Sequence, residues 1–345
     1  MTTQTSVQSR RSSVTSALFT PVALFLFFGA LSADLSAQQL GTVITYQQSI
    51  TSDEDDGRLF PPTYVYEDPL KEEIYVVDTK QRILAFTSDL FPLYTLNRKN
   101  LIYAPLGLTI GSDGSLYVAQ AASKENPRNR ITVLDPCLQH DREIYLEGMN
   151  DAASFKPYRL AADRKGNLYV TSEHFPGVLV LDSNDRIIDI MSPEENGHKA
   201  KMDNLTIDKD GKIYLLSQVE GRIYVYDSDR RFLFKFGERG GSTGKLSRPK
   251  AVAVDNRNGR MYVVDYMRHT ITTYDNKGAF IFEFGGLGFG QGWFQYPVDI
   301  FIDRAGRIFV ADFFNARVEV FKIWEQGGEE SITGKPILIS KEIPQ

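Results

Sequence analysis

The chain has 345 residues, room for one large domain or two of average size. With 42% hydrophobic, 12% aromatic and 24% charged residues it fits neither intrinsic disorder nor a multi-spanning membrane protein, and a net charge of -5 disfavours a main task of gripping nucleic acid. Cys137 is the only cysteine, and His140, His174, His198 and His269 show no HxxxH or HxH spacing; an intramolecular disulfide, a CxxC zinc site, an iron–sulfur cluster and CxxCH haem attachment are excluded.

Residues 1–37 differ from the rest. Arg10 and Arg11 precede an apolar stretch from Val14 to Leu31, and small residues follow at Ser32, Ala33, Ser36 and Ala37. A positive start, an apolar middle and a small-residue exit predict a secretory signal peptide, with a single-span N-terminal membrane anchor as the alternative. No cysteine stands directly after the apolar stretch, so lipid attachment through a bacterial lipobox is excluded. Export without disulfides suits a bacterial periplasm or envelope better than a eukaryotic secretory route.

Beyond residue 37 the chain repeats. An apolar pentad with an aromatic second residue recurs as IYVVD from Ile74, LYVAQ from Leu116, LYVTS from Leu168, IYLLS from Ile213, MYVVD from Met261 and IFVAD from Ile308, at intervals of 42, 52, 45, 48 and 47 residues. An alternating segment precedes each, ending at Gly114, Gly166, Gly211, Gly259 and Gly306 in the last five units and at Asp68-Pro69 in the first. Period-2 runs follow from Arg82, Arg130, Gly177, Arg222, Thr270 and Arg317, and a fourth run in five units from Pro92, Glu143, Arg186, Arg231 and Ala279. Four short strands per unit predict an all-β chain: a six-bladed β-propeller of four-stranded antiparallel blades spanning residues 38–324. The last unit lacks a clean fourth strand, and Gln39 to Ile50 has no unit of its own. This N-terminal segment is therefore expected to close the ring as the outer strand of the last blade, with PILIS from Pro336 competing for that place. Ser52 to Gly57 reads as a solvated connector and residues 325–345 as a C-terminal tail.

The units PKAVAVDNRNGRMYVVDYMRHTITTYD and PVDIFIDRAGRIFVADFFNARVEVF, joined by glycine-rich linkers that end in an aromatic or leucine and a proline, resemble the NHL repeat. The resemblance covers roughly residues 40–324. It departs at Gln120 and Ser172, where the family often has Asp, and only Asn315 keeps the asparagine before the third strand. NHL propellers include lyases, ubiquitin-ligase substrate modules, RNA binders and bacterial scaffold proteins, so the resemblance implies the fold far more than the activity. The exported form is similar to bacterial envelope proteins of this family, some found alongside multihaem c-type cytochromes.

In such a ring the ends of the second strands and the loops entering the first strands gather on one face around the channel. That face is expected to carry Asp78, Gln120, Glu173, His174, Gln218, Asp265, Tyr266, Arg268, Asp312 and Phe313, with Tyr158, Arg159 and Asp299 from the entry loops. Asp78, Asp265 and Asp312 equally suit turn caps, since short carboxylates accept nearby backbone N–H groups. No residue is assigned a catalytic role. A zinc lyase would need three converging histidines, and His140 and His198 lie in the wrong segments. A channel divalent cation such as calcium would need oxygen ligands that Glu173, Asp265, Asp299 and Asp312 offer, but nothing in their spacing demands one, so no cofactor is expected. DKDG from Asp208 reads as a hairpin turn, GGLGFGQG from Gly285 as a linker, and Phe294 as a plug between blades. The Ala121 to Asn129 loop is a further contact candidate.

The resulting expectation is an exported, non-enzymatic scaffold or binding protein, monomeric alone, holding a protein partner through the channel face and binding no nucleic acid. A propeller hydrolase or lyase with a channel cation is the alternative.

Overall fold

The computed structural model describes residues 42–55, 57–147, 155–173, 175–325, 335–337 and 339–340. Blade 1 is built from Pro62–Glu67, Ile74–Asp78, Arg82–Phe86 and Pro92–Leu96, and blade 2 from Pro105–Ile110, Leu116–Gln120, Arg130–Leu134 and His140–Ile144. Pro157–Ala162, Leu168–Ser172, Val178–Leu181 and Ile187–Met191 form blade 3; Asn204–Ile207, Ile213–Ser217, Arg222–Tyr226 and Phe232–Phe236 form blade 4. Pro249–Val254, Met261–Asp265, Thr270–Tyr274 and Phe280–Gly285 form blade 5. Blade 6 runs Pro297–Ile302, Arg307–Asp312, Arg317–Glu325 and then Thr42–Ile50.

The hairpins follow from an aspartate and a left-handed residue at fixed spacing. Between third and fourth strands, Asp182 accepts the backbone N–H of Asn184 and Arg186, and Asp227 that of Asp229 and Arg231, each at 2.8–2.9 Å. The fourth turn residue has positive φ, supplied by Gly278 in blade 5 but by Leu138, Asp185 and Arg230 in blades 2 to 4. In blade 2 this turn, Asp135 to Leu138, starts the outer strand at His140, three residues earlier than the period-2 pattern from Glu143 indicates.

Apolar side chains of the second and third strands point to both faces of each blade. They gather into six clusters, one at each junction between neighbouring blades. Phe294 is fully buried at the blade 5–6 junction and meets Phe284 and Phe321 edge-on, so it does plug blades together.

The N-terminal strand closes the ring. Thr42–Ile50 pairs antiparallel with Arg317–Glu325 from Thr42↔Glu325 to Ile50↔Val318, with a bulge between Tyr46 and Gln48. PILIS does something else: Lys335–Pro336 pairs with Tyr46 and Thr45, Ile339–Ser340 pairs with Phe284 and Glu283, and Ile337 packs against the blade 5–6 cluster. It is a strap across the outer edges of blades 5 and 6. The acidic connector is also more than a solvated link. Asp53 is buried, accepts the N–H of Gly57 at 2.7 Å and pairs with Arg82 at 2.7 Å.

Three buried carboxylates bind their proton more tightly than usual. Burial pushes Glu67 up to about 7, with Asp303 adding to it and Arg307 opposing; burial likewise takes Asp299 to about 6 and Glu319 to about 8, against Arg159 and Arg317 respectively. The folded state holds these protons and the unfolded state releases them near pH 4–4.5. Their contribution to stability is therefore full below that range and is lost as pH rises through about 6 to 8. Glu319→Gln should accordingly melt closer to, or above, the parent at pH 9 than at pH 5; a pH-independent difference in melting temperature would place the Glu319 proton elsewhere.

Candidate functional site at the channel mouth

The first strands of the blades flank one another in turn around the axis. Five open on a proline, Pro62, Pro105, Pro157, Pro249 and Pro297, which has no N–H to give to the ladder, and in each the pairing register slips just after it. The slip falls on Thr63, Leu106, Lys250 and Val298 and on the pair Tyr158-Arg159, so the two positions after each proline read Thr63-Tyr64, Leu106-Gly107, Tyr158-Arg159, Lys250-Ala251 and Val298-Asp299; Asp203-Asn204 stand in the matching place of blade 4, which has no slip, and Tyr64 and Ala251 turn into the inter-blade clusters. A regular scaffold thus presents a ring that differs at every blade.

Arg159 spans three blades of that ring. Its guanidinium is buried, donates to the carbonyls of Leu106 and Thr63, and lies over the rings of Tyr158 and Tyr64 at 4.3 and 4.6 Å. Gly107 permits the crossing, since a Cβ there would lie 2.6 Å from the Tyr158 carbonyl and 3.4 Å from Arg159 Cδ. On the other side of blade 1, Asp299 accepts the N–H of Val65 at 2.9 Å, and Arg159 and Asp299 lie in each other's field.

A second group lies on blades 4 to 6. Lys201 pairs with Asp203 at 3.1 Å, and Asp203 also accepts the backbone N–H of Gln218 at 2.8 Å. Lys250 Nζ and the Arg248 guanidinium both stand 5.4 Å from the Tyr266 ring. Tyr266 packs on Tyr296 at 4.8 Å, and Tyr296 meets Phe314 at 5.2 Å and His269 at 4.4 Å. Phe313 continues the row at 5.0 Å from Phe314. Burial holds the Lys250 ammonium below the usual lysine range, reinforced by Arg248, Arg159 and Lys201, with Asp203 opposing.

The strand-end residues are spent on structure. Gln120, Asp265 and Asp312 accept the backbone N–H of Tyr103, Ser247 and Gln295, the residues two before the first-strand prolines, at 2.5–2.7 Å. Asp78 caps Lys80 and pairs with Arg82. Glu173 pairs with Lys156 at 2.8 Å. Arg268 is turned outward: it grips Glu283 of the fourth strand through two bonds of 2.7 Å and the carbonyls of Gly241 and Lys245. His174 lies outside the described residues. The structure therefore stacks Arg159 on Tyr158, sets Asp299 across blade 1 from them and places Tyr266 and Phe313 at the two ends of an aromatic row, while Asp78, Gln120, Asp265, Asp312 and Arg268 hold loops. The carboxylates that would serve a calcium ion do not converge, and no group of three His, Cys, Asp or Glu among the described residues is placed to hold a metal. Sequence reasoning missed Lys201, Asp203, Arg248, Lys250 and Tyr296. The column one residue after each opening proline, which contains Tyr158, would have found Lys250.

Comparisons with known proteins agree on architecture. A family model described as a 6-bladed beta-propeller, DUF5128, matches residues 200–277 and 250–326, the region of blades 4 to 6. The chain is a six-bladed propeller. It is similar in structure to an auxiliary nutrient binding protein from Bacteroides thetaiotaomicron, at a TM-score of 0.62 and 13% identity, over 82% of this chain and 77% of that one. A protein of the same description from Bacteroides ovatus gives the same values. Streptogramin B lyase matches at a TM-score of 0.54 and 12% identity, over 82% of this chain and 98% of that one. At such identities the likeness is one of fold. No curated protein matches the sequence.

Proposed function

We propose that this propeller is an exported binding protein of the bacterial envelope, built on NHL-like repeats, that holds its ligand at the channel mouth and performs no chemistry on it. One observation carries this reading: the polar strand ends are committed to their own loops, while the residues that follow the entry prolines vary from blade to blade on a repeated frame. The Bacteroides nutrient binding proteins lend it support through their shared fold. Export rests on residues 1–37, which lie outside the described residues; among the described residues no helix is long and apolar enough to cross a membrane. Mass measurement of envelope material should find a chain beginning near Gln38, and an intact Met1 in the membrane pellet would convert the signal to an anchor.

A thermal-shift screen of sugars, amino acids and organic acids tests the binding reading. At least one compound should raise the melting temperature of the intact chain by several degrees, and either Tyr158→Ala or Tyr266→Ala should abolish the shift while melting within a few degrees of the parent. A stabilising compound indifferent to both substitutions, or one consumed by the protein, would overturn it.

A protein partner is the second reading, favoured by Leu287, Phe289, Trp293 and Phe314, four large apolar side chains exposed on the blade 5–6 linker and the adjoining turn of blade 6. A purified multihaem c-type cytochrome retained by the intact chain, and released by Leu287→Ser with Phe289→Ser, would support it; equal retention by both would remove it.

A further inference from the structure

The charges at the channel mouth do not balance. Lys201 is met by Asp203 at 3.1 Å, and Arg159 has Asp299 in its field. Arg248 and Lys250 have no carboxylate within ion-pair distance among the described residues; what they share is the ring of Tyr266, each at 5.4 Å. Lys250 is half-buried on the first strand of blade 5, where an ammonium with no ion-pair partner is costly; exposed Arg248 adds to that cost, and the more distant Asp203 offsets part of it. Aromatic faces offset part of it, by about 0.5–2 kcal/mol for a cation over a ring. Natural proteins tolerate such placement where a ligand supplies the missing charge. Arg159 Nε is buried and without a hydrogen-bond partner, and its guanidinium adds to the positive field at Lys250.

Next to the two cations runs an aromatic row, Tyr266, Tyr296, Phe314 and Phe313, with successive ring centroids 4.8, 5.2 and 5.0 Å apart. Its geometry is held from behind. Tyr296 has a left-handed backbone, φ 54°, which a tyrosine adopts only under constraint, and its N–H donates to His269 Nδ1 at 3.0 Å. Strain retained in an aromatic residue at the mouth of a channel is consistent with a ring placed for contact.

Resting on the binding reading above, we infer that the mouth between blades 4, 5 and 6 takes a small ligand that joins a carboxylate to a ring, the carboxylate meeting Arg248 and Lys250 and the ring lying along Tyr266 and Tyr296. A uronic-acid sugar and an aromatic acid share this chemistry, and the test separates them.

Titration calorimetry on the mature chain at low salt uses glucuronate, benzoate, glucose and inorganic phosphate as probes. One of the two ring carboxylates should bind at a single site, at least tenfold more tightly than glucose or phosphate; which one identifies the source. Lys250→Gln and Arg248→Gln should each weaken that binding tenfold or more with melting temperature unchanged, Lys250→Arg should restore most of it, and Tyr266→Leu should narrow the gap between the ring carboxylate and phosphate. Phosphate binding as tight as the best carboxylate would reduce the site to an adventitious anion and overturn the inference, as would binding unchanged in the Lys250→Gln, Arg248→Gln double variant. Silence of both ring carboxylates would overturn it too. If the wider screen meanwhile finds a neutral compound that depends on Tyr158, the binding reading stands and only the ligand class falls.

Discussion

A chain lacking residues 38–50 should lose its cooperative melting transition, whereas one lacking residues 326–345 should keep it and melt only a few degrees lower. The N-terminal strand satisfies the whole free edge of Arg317–Glu325 and places Ile44 and Ile50 in the two clusters on either side of the seam, at 0% and 5% exposure. Removing either side chain alone costs roughly 2–5 kcal/mol, and the total stability of a domain is about 5–15 kcal/mol. The strap gives up only two short pairings and the packing of Ile337. Scanning calorimetry of the two truncations decides it. A C-terminal truncation that unfolds while the N-terminal one melts like the parent would make the strap the closing element.

Arg317→Met should destabilise the protein by about 3–5 kcal/mol, because it strips the partner from two buried carboxylates at once. Arg317 meets Asp312 at 2.9 Å and Glu319 at 3.1 Å, both fully buried, and its remaining donors hold the carbonyls of Phe289, Gly290 and Trp293. Chemical denaturation measures the loss. Adding Asp312→Asn to Arg317→Met should return part of it, since the second change removes a buried carboxylate that the first leaves without its ion partner while keeping an acceptor for the Gln295 N–H. Strictly additive losses would mean that Arg317 acts through the linker carbonyls alone.

The ring was legible because it is written in local rules repeated from blade to blade: period-2 strands, hairpins capped mostly by an aspartate and once by Thr87, and a residue able to take positive φ. The missing strand of the last unit and the unclaimed Thr42–Ile50 segment pointed to each other for the same reason. The site was legible only in part. Tyr158, Arg159 and Asp299 could be placed because they follow a proline entry, and Tyr266 and Phe313 because they follow a pentad. Arg268 shares that position, but it ends 2.7 Å from Glu283, fifteen residues on, and that carboxylate draws it outward to the fourth strand. Whether a polar side chain at a strand end faces a ligand or its own loop depends on where unpaired backbone N–H groups lie, as Gln120 with Tyr103 shows, and period and spacing do not record this. Lys250 and Arg248 carry meaning only through the absence, among the described residues, of a carboxylate within ion-pair distance of their side chains, a three-dimensional fact.

The seam between Thr42–Ile50 and Arg317–Glu325 also sets an order of events during synthesis. The first strand to leave the ribosome is the last to find its partner, which lies some 270 residues later in the chain. At about 5–20 residues per second the wait is on the order of tens of seconds. Entropy alone adds little, since the cost of joining distant ends grows only with the logarithm of their separation. The consequence is kinetic. Until blade 6 exists the ring stays open, its early blades held mainly by neighbours already made, and TVITYQQSI remains an unpaired strand in need of protection from other chains. A polypeptide delivered N-terminus first through a narrow pore gains from this arrangement, because nothing upstream can lock before the final blade arrives.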